Sequence, residues 1–258
     1  MVSQSRHGPI GSAVSAPPVS DLLAQRTLPP IGIVAAFFWE VRLLLRKQNG
    51  VKRLGPQLYS FRLGEDPALL AIAGMGAENS FRAARDLLER FEPRALCTLG
   101  FAGALVESLV PGDVILAEKV LDQETGRQFD CRDDLLPLPG IRRGSLLSVT
   151  RVIPSAAEKR RLAQKWGAVA VDMESAGVAR AAAEAGLAFC AIKSITDSSN
   201  QSISIDFERC RSEHGQLSLF QLAREGMRSP QRIRELWTLA HGARLAARSL
   251  AAALRSAQ

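Results

Sequence analysis

The stretch Ala168–Ala176 reads AVAVDMESA. It begins as a short apolar β-run and passes into a helical pattern through Asp172, Met173 and Glu174. Two carboxylates where a chain leaves a buried strand are costly unless something partners them. A strand running directly into a helix is also the repeating unit of an α/β sheet. The junction therefore bears on fold and chemistry together.

The same alternation recurs on both sides of it. IGIVAA (31–36), QLYSFRLG (57–64), ALLAIAG (68–74), ALCTLG (95–100), GDVILAEKV (112–120), SLLSV (145–149) and AFCAIKSI (188–195) read as strands. WEVRLLLRK (39–47), SFRAARDLLERF (80–91), AAEKRRLAQKW (156–166) and MESAGVARAAAEA (173–185) carry helical spacing, the last stopped by Gly186. Two further helices are expected over about 215–227 and 231–255, and the polar segment 121–143 reads as a loop. The fold class predicted is α/β: one domain over 31–258, with a central twisted mixed β-sheet flanked by helices and a basic C-terminal helical extension. The Ser-, Pro- and Ala-rich residues 1–30 read as a flexible tail.

Composition narrows the class. The chain has 258 residues, 47% hydrophobic and 23% charged, as expected of a soluble protein able to bury a core. No apolar run reaches the roughly 18 residues of a membrane span, and the first thirty residues lack the apolar centre of a secretory signal. Cys97, Cys131, Cys190 and Cys210 share no C-x-x-C spacing and read as free thiols of a cytoplasmic protein. His7, His214 and His241 are scattered, so no metal site is expected. The formal net charge is +7, yet from Arg224 onward seven arginines face only Glu225 and Glu235. A basic excess confined to one end argues against nucleic-acid binding as the protein's main role.

In open α/β sheets ligands collect beyond the carboxyl ends of the strands. Glu40 follows the first strand, GMGAEN (74–79) the ALLAIA run, GFAGAL (100–105) the ALCTL run, DMES (172–175) the AVAV run and TDSSN (196–200) the AFCAIKSI run. Taken singly, Glu40 suits the positive end of its helix, Asp197 suits a turn or cap, Glu174 a first helical turn, and Met173 a core filler. Taken together, acids at equivalent strand ends point to one pocket.

IGIVAAFFWEV (31–41), GMGAENS (74–80), TLGFAGALVESLVPGDVILA (98–117), VDMESAGVA (171–179) and AIKSITDSSNQ (191–201) together resemble the nucleoside phosphorylase and nucleosidase superfamily, and most nearly its methylthioadenosine/S-adenosylhomocysteine nucleosidases. The resemblance implies cleavage of a purine–ribose bond. Asp197 would be the general acid at the purine and Glu40 would position and deprotonate the attacking water. Glu174 would hold the ribose hydroxyls, with Met173 against the sugar. Val152 and Ile153 fall where the family holds the base. Phe101, Ala102, Gly103, Lys193 and Thr196 complete the implied substrate site. Phe101 stands where the family has a small hydroxyl residue, Lys193 replaces an arginine, Thr196 a serine, and 121–143 is short.

The chemistry asks for these residue types independently. Breaking an N-glycosidic bond places positive charge on the sugar and negative charge on the base, so an acid near the base and carboxylates near the sugar both help. The reaction expected is hydrolysis of a 5′-substituted adenosine, with no cofactor, in a homodimer or higher homo-oligomer. The glycine loops hold no arginine, which disfavours a phosphate co-substrate. The C-terminal segment RSPQRIRELWTLAHGARLAARSLAAALRS (228–256) has an apolar stripe and resembles the tail of hopanoid-associated phosphorylases, which implies an adenosyl-lipid substrate as an alternative. It would pack on the sheet, line an apolar channel or rest on anionic lipid as a peripheral membrane contact. A purine nucleoside phosphorylase and a non-catalytic nucleoside binder remain as further alternatives.

Overall fold

Buried apolar runs separated by amphipathic segments build ten strands and six helices among the residues described. The computed structural model describes residues 28–256 apart from 47, 49, 211 and 213–215. The tail 1–27, His7, His214, and the expected helix ends at 47 and 215 lie outside them. The elements run β1 (Ile31–Ala35), α1 (Phe38–Leu45), β2 (Lys52–Gly55), β3 (Leu58–Leu63), β4 (Asp66–Ile72), α2 (Ala77–Phe91) and β5 (Ala95–Ala104). They continue through β6 (Val114–Asp122), β7 (Gln128–Asp130), β8 (Arg142–Ser148), α3 (Ala156–Trp166), β9 (Ala170–Asp172), α4 (Ser175–Glu184) and β10 (Ala188–Asp197). A 3₁₀ turn at Glu208–Cys210, α5 (Leu219–Gly226) and α6 (Pro230–Ser256) follow.

All ten strands join one mixed sheet flanked by helices. β4, β1, β5 and β10 are parallel neighbours, so their carboxyl ends share one rim. β2 and β3 extend the β4 edge antiparallel. The other side curls. β10 pairs with both β5 and β6, β6 with β8, β8 with β9, and β9 back with β5. Five strands thus close a ring of pairings, which removes one open sheet edge. Closure requires β5 to run for ten residues, past the end of β1, so that Gly103 and Ala104 meet Val171 and Ala170.

Several boundaries differ from the sequence expectation. The segment 121–143 is not wholly loop: β7 pairs antiparallel with β6, and β8 begins at Arg142. Three residues are too few to show a periodicity. β2 went unread because KRLG is polar, as suits an edge strand. α4 starts at Ser175, which leaves Met173 and Glu174 in the bend before it. β10 continues to Asp197, so the acid sits on a strand instead of in the following loop.

The C-terminal helix divides its stripe. Ala247, Leu250 and Leu254 are buried, and this half packs on α1 and β10. The other half turns toward the cavity described below. None of the described helices is long and apolar enough to cross a membrane.

Candidate active site

Beyond the strand ends lies a cavity of ≈ 360 Å³. Glu40, Glu174 and Asp197, three acids far apart in the chain, all line it. So do Met173, Phe101, Ala102, Gly103 and Thr196 from the strand ends, and Val152 and Ile153 from the loop before α3. Lys193 is the exception among the residues expected there. It does not line the cavity, but lies buried behind the carboxylates.

Glu40 sits in the first turn of α1, and its Oε2 accepts the backbone N–H of Phe37 at 3.2 Å. The helix-end role and the cavity role are therefore both filled by one carboxyl. Burial raises its pKa from 4.5 to about 8, with Lys193 opposing and Glu174 reinforcing the shift. A carboxyl tuned near neutrality suits proton exchange with a water.

The two acids of the DMES junction separate in function. Asp172 also borders the cavity, but its side chain is fully buried and already engaged. Its Oδ2 accepts the backbone N–H of Ser175 at 3.1 Å and the Ser175 hydroxyl at 2.5 Å, and it pairs with Lys193 Nζ at 2.8 Å. It thus starts α4 and neutralises a buried lysine. Glu174 points to the cavity rim, where Oε1 accepts from Gly76 N at 3.0 Å and Oε2 from Met173 N at 3.3 Å. The glycine turn GMG therefore serves to bring a backbone donor to Glu174. Burial raises the Glu174 pKa, opposed by Lys193 and reinforced by Asp172. Burial also works against the Lys193 ammonium, but Asp172, Glu174 and Glu40 outweigh it and lift its pKa above that of ordinary lysine. One cation steadies three acids without entering the cavity.

Asp197 owes its position to a β-bulge. Ile195 pairs with Ala102 and Asp197 with Gly103, so Thr196 is an extra residue on β10. A Cβ at position 103 would lie 3.0 Å from Asp197 Oδ2, so glycine leaves the carboxyl its room. Oδ1 lies 2.7 Å from Thr196 Oγ1, and Oδ2 accepts from Lys159 Nζ at 2.5 Å.

Lys159, Met75 and Trp39 also line the cavity and were not anticipated from sequence. Trp39 stacks on Phe37 with ring centroids 4.3 Å apart, and its place in FFWE directly before Glu40 was the available signal. Much of the remaining wall is apolar: Leu236, Leu239, Ala240 and Ala243 from α6, with Leu222 from α5. The channel-lining alternative for the C-terminal stripe thus describes its first half. Gly242 makes this possible. A Cβ there would stand 1.9 Å from the Thr196 carbonyl oxygen, so only glycine lets α6 cross the end of β10 this closely.

Positive charge at the site is already engaged. Among the described residues lining the cavity, the guanidinium of Arg151 donates to Glu158 at 2.6 Å and Lys159 is bound to Asp197. No cluster of three or more metal-ligating side chains occurs among the described residues.

Three buried carboxyl groups lining one otherwise largely apolar cavity suit a substrate that splits into an anion and an electron-poor sugar. Comparison with known proteins places the fold. The model of the phosphorylase superfamily matches residues 30–139 and 130–219. A 5′-methylthioadenosine/S-adenosylhomocysteine nucleosidase of Staphylococcus epidermidis is 25% identical over 69% of this chain and 90% of its own length. The solved S-adenosylhomocysteine nucleosidase of Streptococcus pyogenes, in complex with 5-methylthiotubericidin, superposes with TM-score 0.66 at 20% identity, covering 90% of this chain and 98% of that one. The 5′-methylthioadenosine/S-adenosylhomocysteine nucleosidase of Neisseria meningitidis gives TM-score 0.65 at 19% identity, over 89% and 100% of the two chains. With the family model spanning nearly three quarters of its length, and with the mixed sheet those solved structures share, the chain belongs to the phosphorylase superfamily.

Proposed function

We propose that the protein hydrolyses the N-glycosidic bond of a 5′-substituted adenosine, releasing adenine and a 5′-substituted ribose. The proposal rests on one observation above all: Glu40, Glu174 and Asp197 are buried and line the same cavity. In it, Glu174 grips the ribose diol with Met173 beneath the sugar. Asp197 gives a proton to the departing base, which Phe101, Val152 and Ile153 enclose. Glu40 takes a proton from the water that attacks the sugar. Water is favoured over phosphate as nucleophile because neither glycine loop, GMGAEN or GFAGAL, carries an arginine to receive a phosphate. Adenine release from methylthioadenosine, S-adenosylhomocysteine and adenosine, each with and without inorganic phosphate, tests the assignment. Equal rates in both conditions are expected. A strict phosphate requirement would make the protein a phosphorylase, and inertness toward all three would favour a larger substrate or a binder.

A second reading concerns the 5′ group. The apolar wall from α5 and α6 favours a bulky, lipid-like substituent such as an adenosyl-lipid over a small methylthio group. In a series of 5′-alkylthioadenosines, kcat/KM should then rise by up to about fourfold per methylene, at roughly 0.8 kcal/mol for each one buried. Gly242→Val pushes α6 off Thr196 and should flatten that series while costing about 1–3 kcal/mol of stability. A flat series in the wild-type protein would rule the long chain out. A homo-oligomer and a lipid-facing surface, where Phe220 and Trp237 stand exposed beside Arg224 and Arg234, complete the proposal. Sedimentation and co-pelleting with anionic vesicles check them.

A further inference from the structure

Lys159 has no part in the mechanism above, yet it is the largest of the fully buried side chains described. It lies on α3, and its side chain is only 1% exposed. Nζ donates to Asp197 Oδ2 at 2.5 Å and to the Ser198 carbonyl oxygen at 2.8 Å. Replacing a buried ion pair by apolar groups of similar volume is often neutral or stabilising, so packing alone does not call for a lysine here.

The other carboxyl oxygen has a different partner. Thr196 Oγ1 is 2.7 Å from Asp197 Oδ1 and 3.3 Å from the Ala102 carbonyl oxygen. A hydroxyl carries one hydrogen and two lone pairs. Aimed at Oδ1, that hydrogen serves an ionised Asp197. Aimed at Ala102, it leaves Oγ1 free to accept from a protonated Oδ1. Oδ1 can therefore gain and lose a proton without losing its partner, while Oδ2 stays on the ammonium throughout.

We propose that Lys159 is the positioning residue of the acid, holding Oδ2 of Asp197 so that Oδ1 is the oxygen that delivers the proton, and supplying the positive charge against which Asp197 becomes a carboxylate. The inference rests on the adenosine-cleaving function proposed above. The resting pair is ionic, so Oδ1 first takes up one proton from solvent; as the sugar–base bond breaks, its electron pair stays with adenine and that proton passes to a ring nitrogen of the base. Lys159 keeps its three hydrogens, and the pair left behind is neutral overall.

The test compares leaving groups. Methylthioadenosine needs a proton on its departing base, whereas p-nitrophenyl 5-methylthioriboside releases a stable anion without one. Lys159→Met should lower kcat on methylthioadenosine by about 10²-fold or more, with KM nearly unchanged, and leave the aryl substrate within about threefold of wild type. Lys159→Met/Asp197→Asn should be no slower than Asp197→Asn alone, because both changes disable one unit. In Lys159→Ala, added propylamine should restore activity where propanol does not. Equal losses on both substrates, or losses that multiply in the double variant, would overturn the role. If Lys159→Met does not fold, the double variant, which buries no charge at the pair, carries the comparison with Asp197→Asn. If Asp197→Asn itself releases adenine at the wild-type rate, the adenosine-cleaving function falls. If Asp197→Asn is slow and Lys159→Met is not, only the role of Lys159 falls.

Discussion

Glu40→Gln will slow turnover by about 10²–10⁴-fold, the span expected for loss of a general base, and will nevertheless make the protein harder to unfold. The physical cause is burial. Glu40 titrates at about 8 in the folded protein, against an ordinary 4.5. Below pH 4.5 it is protonated in both states and costs nothing. Between 4.5 and about 8 the folded state holds a proton that the unfolded chain has released, so the stability it contributes falls as pH rises, and above about 8 the full cost of a buried carboxylate is present. That full cost corresponds to roughly 5 kcal/mol at 1.36 kcal/mol for each pKa unit. Glutamine keeps an acceptor for the Phe37 N–H and carries no charge. If only about 2 kcal/mol of the cost is recovered, Tm should rise by about 4–8 °C for a domain of this size. The rise should be marked at pH 9 and small at pH 5. Thermal melts of both proteins at the two pH values, beside their rates of adenine release, decide the matter. Equal melting shifts at both pH values would show that Glu40 is not the strained group described. The same titration predicts that wild-type kcat/KM climbs toward pH 8, because a base must be ionised to accept a proton.

Asp197→Asn should match that loss of rate and show the opposite change in stability. An amide is far too weak an acid to protonate the base released in the proposed reaction, so about 10²–10⁴-fold in kcat is at stake while substrate binding is largely kept. The substitution also strips Lys159 of its anionic partner inside the protein, with only the Ser198 carbonyl left to receive it. Breaking a buried pair from one side costs about 3–5 kcal/mol. Two single-atom-scale changes in one cavity thus move Tm in contrary directions, one by relieving a buried charge and the other by orphaning one. An Asp197→Asn protein as stable as wild type would mean that the Lys159–Asp197 contact is not an intimate ion pair.

The contrast shows what distinguishes the three acids. Each lines the cavity, but they fall into two counter-charge arrangements. Glu40 and Glu174 look across at Lys193 without bonding to it, and burial prevails over its attraction. Asp197 is bonded directly to Lys159. Asp172, which the sequence places beside Glu174, is spent on Lys193 and on the start of α4. Both carboxylates of DMES border the cavity, yet Asp172 is bonded to a lysine and a helix start, and Glu174 to the backbone of Gly76 and Met173.

Local information was enough for the architecture and for the list of acids. Buried strands such as IGIVA and AFCAI announce themselves by unbroken apolar runs, and helices such as 77–91 by their spacing, because both depend on neighbours within a few residues. The acids at the ends of β9 and β10 were visible as polar groups where an apolar run stops. What the sequence could not carry is every contact made at long range. Closure of the strand ring depends on β5 outrunning β1, and the aim of Asp197 on a bulge that no residue type in ITD signals. Lys159 lies 38 positions from Asp197, in a helix whose run EKRRLAQK reads as an ordinary solvated face. Gly242 looks like a weak point in a helix until its backbone is seen against Thr196. Periodicity reports which side of an element is buried, but only the packed chain reveals which buried group meets which, and in this protein that meeting gives the cavity's acids their partners.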